Sequence, residues 1–177
     1  MNFDYYKKFI TDHPFRSDVT NLFENPKVFN NLINDLIKPF KKEKIDKIVA
    51  LDALGFVLGG AIAYKLSVPL VLARKGGKLP HNKKDLAKVL FWDYTKRLGE
   101  NQKKSIEIKK SSIRKGDKVL IVDEWIETGT QLKAVIKIVE KLGGQIIGIS
   151  TMCADKNKKT KILFNEFNCR ALKIEET

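Results

Sequence analysis

The sequence predicts an α/β protein with a doubly wound, mainly parallel sheet and helices on both faces. Its 177 residues contain two runs in which an apolar strand, a helix and a second apolar strand follow one another at βαβ lengths. These strands are continuously apolar instead of alternating, which is typical of parallel strands covered on both sides. No internal repeat or Pro/Gly/Ser-rich linker divides the chain, so we expect one domain over residues 1–177.

The first βαβ unit follows a capped helix. Asparagine caps helices and proline is tolerated in the first turn, so Asn25-Pro26 predicts a helix start. KIVALD (47–52) then predicts a strand, GFVLGGAIAYKL (55–66) a helix whose small residues allow close packing, and PLVLAR (69–74) a second strand. The apolar residues that recur on one face of the capped helix, and that we expect in the core, are Val28, Phe29, Leu32, Ile33, Leu36, Ile37 and Phe40.

The second βαβ unit lies beyond a lysine-rich segment. Residues 75–104 have little periodicity, and a segment of that length predicts a mobile loop. After Gly116, KVLIVD (118–123) predicts a strand, residues 129–142 a helix, and QIIGIST (145–151) another strand.

The net charge of +13 invites a nucleic-acid interpretation, but its composition argues against one. Lysine is suited to a solvated surface and is poor at bidentate reading of bases. We therefore expect a basic surface that attracts polyphosphate substrates, and no specific nucleic-acid partner. Only five of the 34 basic residues are arginines: Arg16, Arg74, Arg97, Arg114 and Arg170.

The cysteines, histidines and apolar runs predict a cytoplasmic protein without a metal cage of its own. Cys153 and Cys169 are too few for a disulfide framework or a zinc site, and we expect buried, idle thiols. His13 and His81 have no ligand-like neighbours. The most apolar run, residues 48–64, is shorter than the ~20 residues that span a bilayer, and no membrane partner is expected.

Acidic residues are concentrated where a strand of the second unit meets its helix. Ligands of open parallel sheets bind beyond the carboxyl ends of the strands, and residues 124–130 lie there. Glu127-Thr128-Gly129-Thr130 offers backbone N–H groups, two hydroxyls and a glycine at a helix N-terminus, which predicts a phosphate-binding loop. The segment is not a Walker A loop, and GFVLGG does not match the dinucleotide spacing.

Asp123 and Glu124 directly precede this loop. Adjacent carboxylates at a strand end can accept hydrogen bonds from a vicinal diol, as an acid does with ribose. The ligand implied is a ribose 5-phosphate. The alternative is that the acids only favour the helix N-terminus through its dipole.

VLIVDEWIETGT (119–130) resembles the phosphoribosyl-pyrophosphate (PRPP) signature of the type I phosphoribosyltransferase family. Four further blocks are similar, in order, to its adenine phosphoribosyltransferase branch. They are FRSDVTNLFENP (15–26), IDKIVALDALGF (45–56), VPLVLARKGGKLP (68–80) and SIEIKKSSIRKGDKVLIVDE (105–124). The resemblance implies the type I fold and transfer of ribose 5-phosphate from PRPP to a nucleobase, a purine, with release of pyrophosphate. It also implies a homodimer, and Mg²⁺ bound through PRPP and pyrophosphate.

The resemblance assigns roles to residues of this chain. Glu127 is the candidate general acid/base. Phe15 would stack on the base with Arg16 beside it, and the alternative for Phe15 is a place in the core. Asp123 and Glu124 would hold the ribose. The residues implied for the 5-phosphate are Thr128, Gly129, Thr130 and Gln131, and those for pyrophosphate are Asp52, Ala53, Leu54, Gly55, Arg74, Lys75 and Lys78.

Departures from the family pattern leave the purine open. Leu54 replaces an arginine, Arg97 and Leu98 replace the glutamate and tyrosine of the mobile loop, and Thr130-Gln131 replaces Gly-Thr. Glu127 stands where adenine enzymes carry alanine and hypoxanthine–guanine enzymes carry a catalytic aspartate. The alternative function is a PRPP- or nucleotide-binding regulator of the same fold that contacts nucleic acid, although no helix-turn-helix precedes the domain.

Overall fold

The computed structural model describes residues 3–13, 17–95 and 100–176. Its sheet has seven strands in the order β3-β4-β2-β1-β5-β6-β7. The neighbouring strands β2, β1, β5, β6 and β7 run parallel, whereas β4 is antiparallel to both β2 and β3. The strands are β1 Lys47–Leu51, β2 Leu70–Lys75, β3 Leu86–Thr95, β4 Glu100–Lys109, β5 Lys118–Ile126, β6 Gln145–Lys156 and β7 Cys169–Glu176.

Helices cover both faces of this sheet, which confirms the predicted fold class. The helices are α1 Phe3–Lys7, α2 Thr20–Glu24, α3 Pro26–Ile37, α4 Gly55–Leu66, α5 Thr130–Lys141 and α6 Lys161–Glu166. The apolar side chains of α1 to α4 form one core cluster with Ile48 and Leu120. Those of α5 and α6 form a second cluster with Val49 and Ile121 on the opposite face.

The predicted start of α3 is confirmed. The Asn25 side chain accepts hydrogen bonds from the backbone N–H of Lys27 at 3.1 Å and of Val28 at 3.2 Å, which satisfies two donors that have no partner within the helix. The predicted apolar face is buried except for Phe29, which is half-buried.

Strand β1 lies between β2 and β5 at the centre of the sheet. Its chain continues through α4 to β2 on one side, while β5 continues through α5 to β6 on the other. The crevice between the carboxyl ends of β1 and β5 is therefore the switch point where ligands bind in such sheets. Helix α4 packs closely on β1, since a Cβ on Gly59 would lie 2.5 Å from that of Ala50.

The expectation of a loop over residues 75–104 is wrong for most of that segment. Strands β3 and β4 form an antiparallel hairpin there, with residues 96–99 outside the described part. Alternate apolar residues of both strands pack against the α5 side of the sheet, and the apolar Leu90 and Trp92 on the outer face of β3 obscured this period of two. The apolar residues are Ala87, Val89, Phe91, Ile106 and Ile108. The mobility of the segment remains a prediction.

On the sheet face opposite to α5, the part formed by β2, β3 and β4 carries exposed apolar residues. Strand pairing places Leu70 and Leu72 beside Ile48 and Ala50, on the face that α4 covers further along the sheet. Through β4, pairing places alternate residues of β3 on the same face. Large apolar side chains left exposed here are Leu70 (38%), Leu72 (37%), Leu90 (57%) and Trp92 (62%).

The remaining expectations concern thiols and membranes. Cys153 and Cys169 are free, and the structure confirms that both are buried. Burial raises the pKa of both thiols to about 12, which is typical of structural cysteines. Within the described ranges, no helix combines the length and apolar character that crossing a bilayer requires.

Candidate active site

A buried acid marks the end of β1. The Asp52 side chain is 5% exposed, and its Oδ2 lies 3.5 Å from Arg74 Nε and 3.6 Å from Lys78 Nζ. Neither Asp52 Oδ2 nor Arg74 Nε has a hydrogen-bond partner among the described residues, so the contact is an ion pair without hydrogen-bond geometry. The Asp52–Ala53 peptide bond is cis. Asp52 thus gathers two cations at the mouth of the crevice.

The end of β2 and the turn that follows carry these cations. Arg74 Nη1 donates to the carbonyl oxygen of Lys78 at 3.2 Å, and its guanidinium carbon lies 5.9 Å from the ring centre of Phe56. Lys75 is half-buried and Lys78 is exposed. Three basic side chains within five residues make this edge of the crevice suited to a polyanion.

The end of β5 carries the opposite charge. Asp123 is buried, and its Oδ1 accepts a hydrogen bond from the Glu124 N–H at 3.0 Å. Burial, and then the negative charge of Glu124, raise the pKa of Asp123 well above its usual value, while Lys75 acts in the opposite direction. Both acids lie within β5, which runs to Ile126, so the expected loop over 124–130 begins only at Glu127.

The predicted phosphate-binding loop lies at the start of α5. Gly129 has φ +67, a left-handed conformation that favours glycine, and the hydroxyls of Thr128 and Thr130 are 3.0 Å apart. A Cβ on Gly129 would lie 3.0 Å from Leu163 Cδ1 and 3.3 Å from Thr160 Cγ2. The loop is therefore backed closely by the segment that leads into α6.

Sequence reasoning missed Thr160, which supports this loop. Thr160 is fully buried, donates to the carbonyl oxygen of Asp155 at 2.6 Å and accepts from the Asn157 N–H at 2.9 Å. It also missed Glu107, a buried acid of β4. Glu107 is an acid in a lysine-rich segment. An unexpected acid in a basic chain is the signal that singled out Asp123, and the same signal could have identified Glu107.

Direct contacts join the three strand ends into one cleft. Gln131 Nε2 donates to the carbonyl oxygen of Asp52 at 3.4 Å. A Cβ on Gly55 would lie 3.0 Å from the carbonyl oxygen of Val122 and 3.2 Å from Asp123 Oδ1, so the start of α4 rests against the end of β5. Cations, acids and the predicted phosphate-binding loop thus surround one switch point.

Other predicted residues are less directly placed. Ala53 is exposed, Leu54 is half-buried against the core, and Glu127 is exposed in the bend before α5. Phe15 and Arg16, predicted to contact the base, lie outside the described residues, as do Arg97 and Leu98.

A separate cavity of about 430 Å³ lies at the amino-terminal end of β1, away from this cleft. It is lined by Asn34, Ile37, Phe40, Lys41, Glu43, Ile45, Lys65, Leu66 and Val68, none of which is a predicted site residue.

A doubly wound sheet with basic side chains at the end of one strand, an acid pair at the end of another and a glycine loop at a helix N-terminus, all at one switch point, has the architecture of a phosphoribosyltransferase. The chain matches the phosphoribosyl transferase domain over residues 18–176 and belongs to that family. It is a type I phosphoribosyltransferase, and the relatives reported below are adenine phosphoribosyltransferases.

The comparisons agree in sequence and in fold. The chain is 42% identical to the adenine phosphoribosyltransferase of Ruegeria pomeroyi over 146 residues, 80% of this chain and 76% of that protein. It is 41% identical to that of Clostridium botulinum over 133 residues, 75% and 72% of the two chains. The adenine phosphoribosyltransferase structure from Thermoanaerobacter pseudethanolicus superposes with a TM-score of 0.87 at 28% identity, covering 98% and 99% of the two chains. These relatives favour the enzyme over the alternative of a regulator.

Proposed function

We propose that this phosphoribosyltransferase acts on adenine, joining it to ribose 5-phosphate from PRPP and releasing pyrophosphate. The observation that carries the proposal is the joined cleft. Asp52 gathers Arg74 and Lys78 at one end, and Asp123 precedes the phosphate-binding loop at the other. The names of the relatives supply adenine as the base.

Each side of the cleft has a part in the reaction. Arg74, Lys75 and Lys78 would offset the charge of the departing pyrophosphate. Asp123 and Glu124 would accept hydrogen bonds from the ribose hydroxyls, and their negative charge suits a ring that becomes oxocarbenium-like. Backbone N–H groups of residues 53–55 would assist pyrophosphate binding.

The acids of the cleft fit Mg²⁺ brought by the substrate. Mg²⁺ prefers oxygen ligands, and it is commonly held by one or two carboxylates together with substrate phosphates. Asp123 and Glu124 offer such oxygens, and the negative charge of Glu124, which adds to burial in raising the pKa of Asp123, favours a nearby cation. Within the described ranges, no group of three or more acidic, histidine or cysteine residues is arranged to hold a metal ion by itself. The metal would supply charge neutralisation to the leaving pyrophosphate.

Glu127 is proposed as the general acid/base for the incoming purine. Its exposed position before α5 lets the carboxylate point away from the phosphate. At ~5 Å and an effective dielectric of ~20, two like charges repel by roughly 3 kcal/mol, which favours that direction.

The exposed apolar residues of β2 and β3 support a homodimer. Strands of mainly parallel sheets are normally covered on both faces, and an exposed apolar patch marks an interaction surface. A second copy of the chain would cover Leu70, Leu72, Leu90 and Trp92.

Oligomeric state tests the dimer. Analytical ultracentrifugation should give a dimer for the native protein and a monomer for Leu72→Glu. Ile162→Glu is the matched control, because Ile162 is similarly exposed, at 41%, on α6, and it should remain dimeric. A native monomer at micromolar concentration would refute the dimer.

We propose the cytoplasm as the site of action. Support comes from Cys153 and Cys169, both free thiols, as expected in a reducing compartment.

The substrate is tested by screening purines and pyrimidines for PRPP-dependent pyrophosphate release with Mg²⁺. Adenine should give the highest kcat/KM, and combining Asp123→Asn with Glu124→Gln should abolish turnover. A preference for hypoxanthine or guanine would show that adenine is not the substrate. PRPP binding without turnover of any base would reinstate the regulator.

A further inference from the structure

Glu107 is an acid in the middle of β4 whose burial needs an explanation. Only 4% of the residue is exposed, although lysines dominate the sequence around it. A buried carboxylate is costly unless it is paired and hydrogen-bonded. Its Oε1 lies 3.1 Å from Lys88 Nζ, and its Oε2 accepts a hydrogen bond from the Gly77 N–H at 3.0 Å.

The turn after β2 is attached to β4 through both of its glycines. The Gly76 N–H donates to the carbonyl oxygen of Ser105 at 2.9 Å, and the next N–H, that of Gly77, donates to Glu107. A Cβ on Gly76 would lie 1.9 Å from Ser105 Oγ, and Gly77 has φ +80. The turn therefore packs against β4 as only glycines allow, and the Glu107 carboxylate provides its side-chain anchor.

This turn separates two cations of the cleft. Arg74 precedes it in β2, directly across the strand pair from Glu107, and Lys78 follows it. Arg74 Nη1 donates to the Lys78 carbonyl oxygen, and Lys78 Nζ lies 3.6 Å from Asp52. The direction of both cations thus depends on where the turn is held.

We propose that Glu107 is a positioning residue that holds the 76–77 turn so that Arg74 and Lys78 are pre-organised for the pyrophosphate group of PRPP. The inference rests on the proposed function and adds a specific group to it. Glu107 does not touch the ligand, and Lys88 offsets its charge, so that the carboxylate does not repel the incoming pyrophosphate. Pre-organisation increases affinity because less ordering remains to be done on binding.

Three substitutions separate the hydrogen bond from the charge. Glu107→Ala removes both, and Glu107→Asp keeps the charge but withdraws the acceptor from Gly77. Glu107→Gln keeps an acceptor oxygen at the same reach. Ser150→Ala is the matched control, because Ser150 is a buried polar residue of β6 whose hydroxyl donates to the Leu36 carbonyl oxygen at 2.9 Å, in the core below the cleft.

Isothermal titration with PRPP, with inorganic pyrophosphate and Mg²⁺, and with adenosine monophosphate gives the readout. Glu107→Ala and Glu107→Asp should weaken PRPP and pyrophosphate binding by about 10- to 100-fold, the range for losing a hydrogen bond to a charged group. Binding of the monophosphate, which lacks a pyrophosphate group, should change by less than about twofold. Glu107→Gln should stay within about threefold for all three ligands. Hydrogen exchange at the Gly77 amide should accelerate in the first two variants only.

The outcomes separate this inference from the proposed function. Native affinity for pyrophosphate in Glu107→Asp overturns the positioning role and leaves the proposed function standing. Equal weakening of pyrophosphate and monophosphate, or the same pattern in Ser150→Ala, also overturns it, because a general loss of structure would then explain the effect. A native protein that binds none of the three ligands overturns both. If Glu107→Ala does not fold, the contrast between Glu107→Asp and Glu107→Gln decides.

Discussion

At the scale of single residues, Asp123 combines a position proposed to bind the ribose with an unfavourable environment. Burial and Glu124 raise the pKa of its carboxyl group. From its ordinary value of 3.8 up to the raised value, the native state binds more protons than the unfolded state, so its contribution to stability falls as pH rises. Asp123→Asn should therefore increase the melting temperature at neutral pH, by about 2–4 °C for each kcal/mol relieved.

Calorimetric melting curves of the ligand-free protein between pH 4 and pH 8 would measure this effect. The difference between native protein and Asp123→Asn should widen as pH rises, while PRPP stabilises the variant less than the native protein. A variant that is less stable at every pH would contradict the proposed origin of the pKa shift.

Glu127→Gln tests the proposed proton transfer with almost no change of shape. Turnover of the preferred purine should fall ~10²- to 10⁴-fold, the usual range for a general acid or base, while PRPP affinity holds or improves. Stopped-assay kcat and titration of PRPP give the two values. If kcat stays near normal, Glu127 contributes under ~1 kcal/mol as a helix N-terminal acid and has no place in the mechanism.

The acids at the end of β5 could be predicted because their motif is contiguous. Asp123 and Glu124 are adjacent to the loop they serve, so strand, acids and glycine can be read together. Glu107 and Thr160 could not be predicted in this way, because each acts on a segment about 30 residues distant: Glu107 on Gly77, and Thr160 on Gly129. Their roles exist only through tertiary contacts.

At the scale of elements, the cap of α3 offers a test that is independent of the cleft. Asn25→Ala removes the acceptor of two backbone N–H groups and should lower the free energy of unfolding by about 0.5–2 kcal/mol. Urea denaturation measures the loss. Asn25→Asp, which retains a capping oxygen, is the control, and kcat should be unchanged in both variants. If Asn25→Ala has the same free energy of unfolding as the native protein, the tertiary packing of α3 alone fixes its start.

The βαβ units were predictable because continuous apolar strands, the amphipathic pattern of α5 and the glycines of α4 are local signals. The β3–β4 hairpin was not, since Leu90 and Trp92 on the outer face of β3 hide its alternation, and β4 opens with the polar residues 101–104. Strand β7 was missed for a related reason. Its exposed residues leave only a weak apolar pattern in the sequence, and the strand is formed by its pairing with β6.

At the scale of the whole molecule, the charge of +13 predicts weak, non-specific attraction to nucleic acids. Binding to duplex DNA or structured RNA should fall steeply between about 50 and 200 mM salt, because counterion release would be its main source. Fluorescence anisotropy with two unrelated sequences measures both slope and selectivity. A sequence-selective complex that survives at physiological salt would contradict this prediction.

The exposed apolar face has a consequence for how the protein behaves on dilution. Arg74 and Glu107 lie on the same face of the sheet as Leu72, through the pairing of β2 with β4. If a second copy covers this face, separation of the copies would bring water to the strand that carries Arg74 and Lys75, the cations proposed to bind pyrophosphate. Specific activity would then be lost as the enzyme is diluted below its subunit dissociation constant, and would return on concentration by mass action.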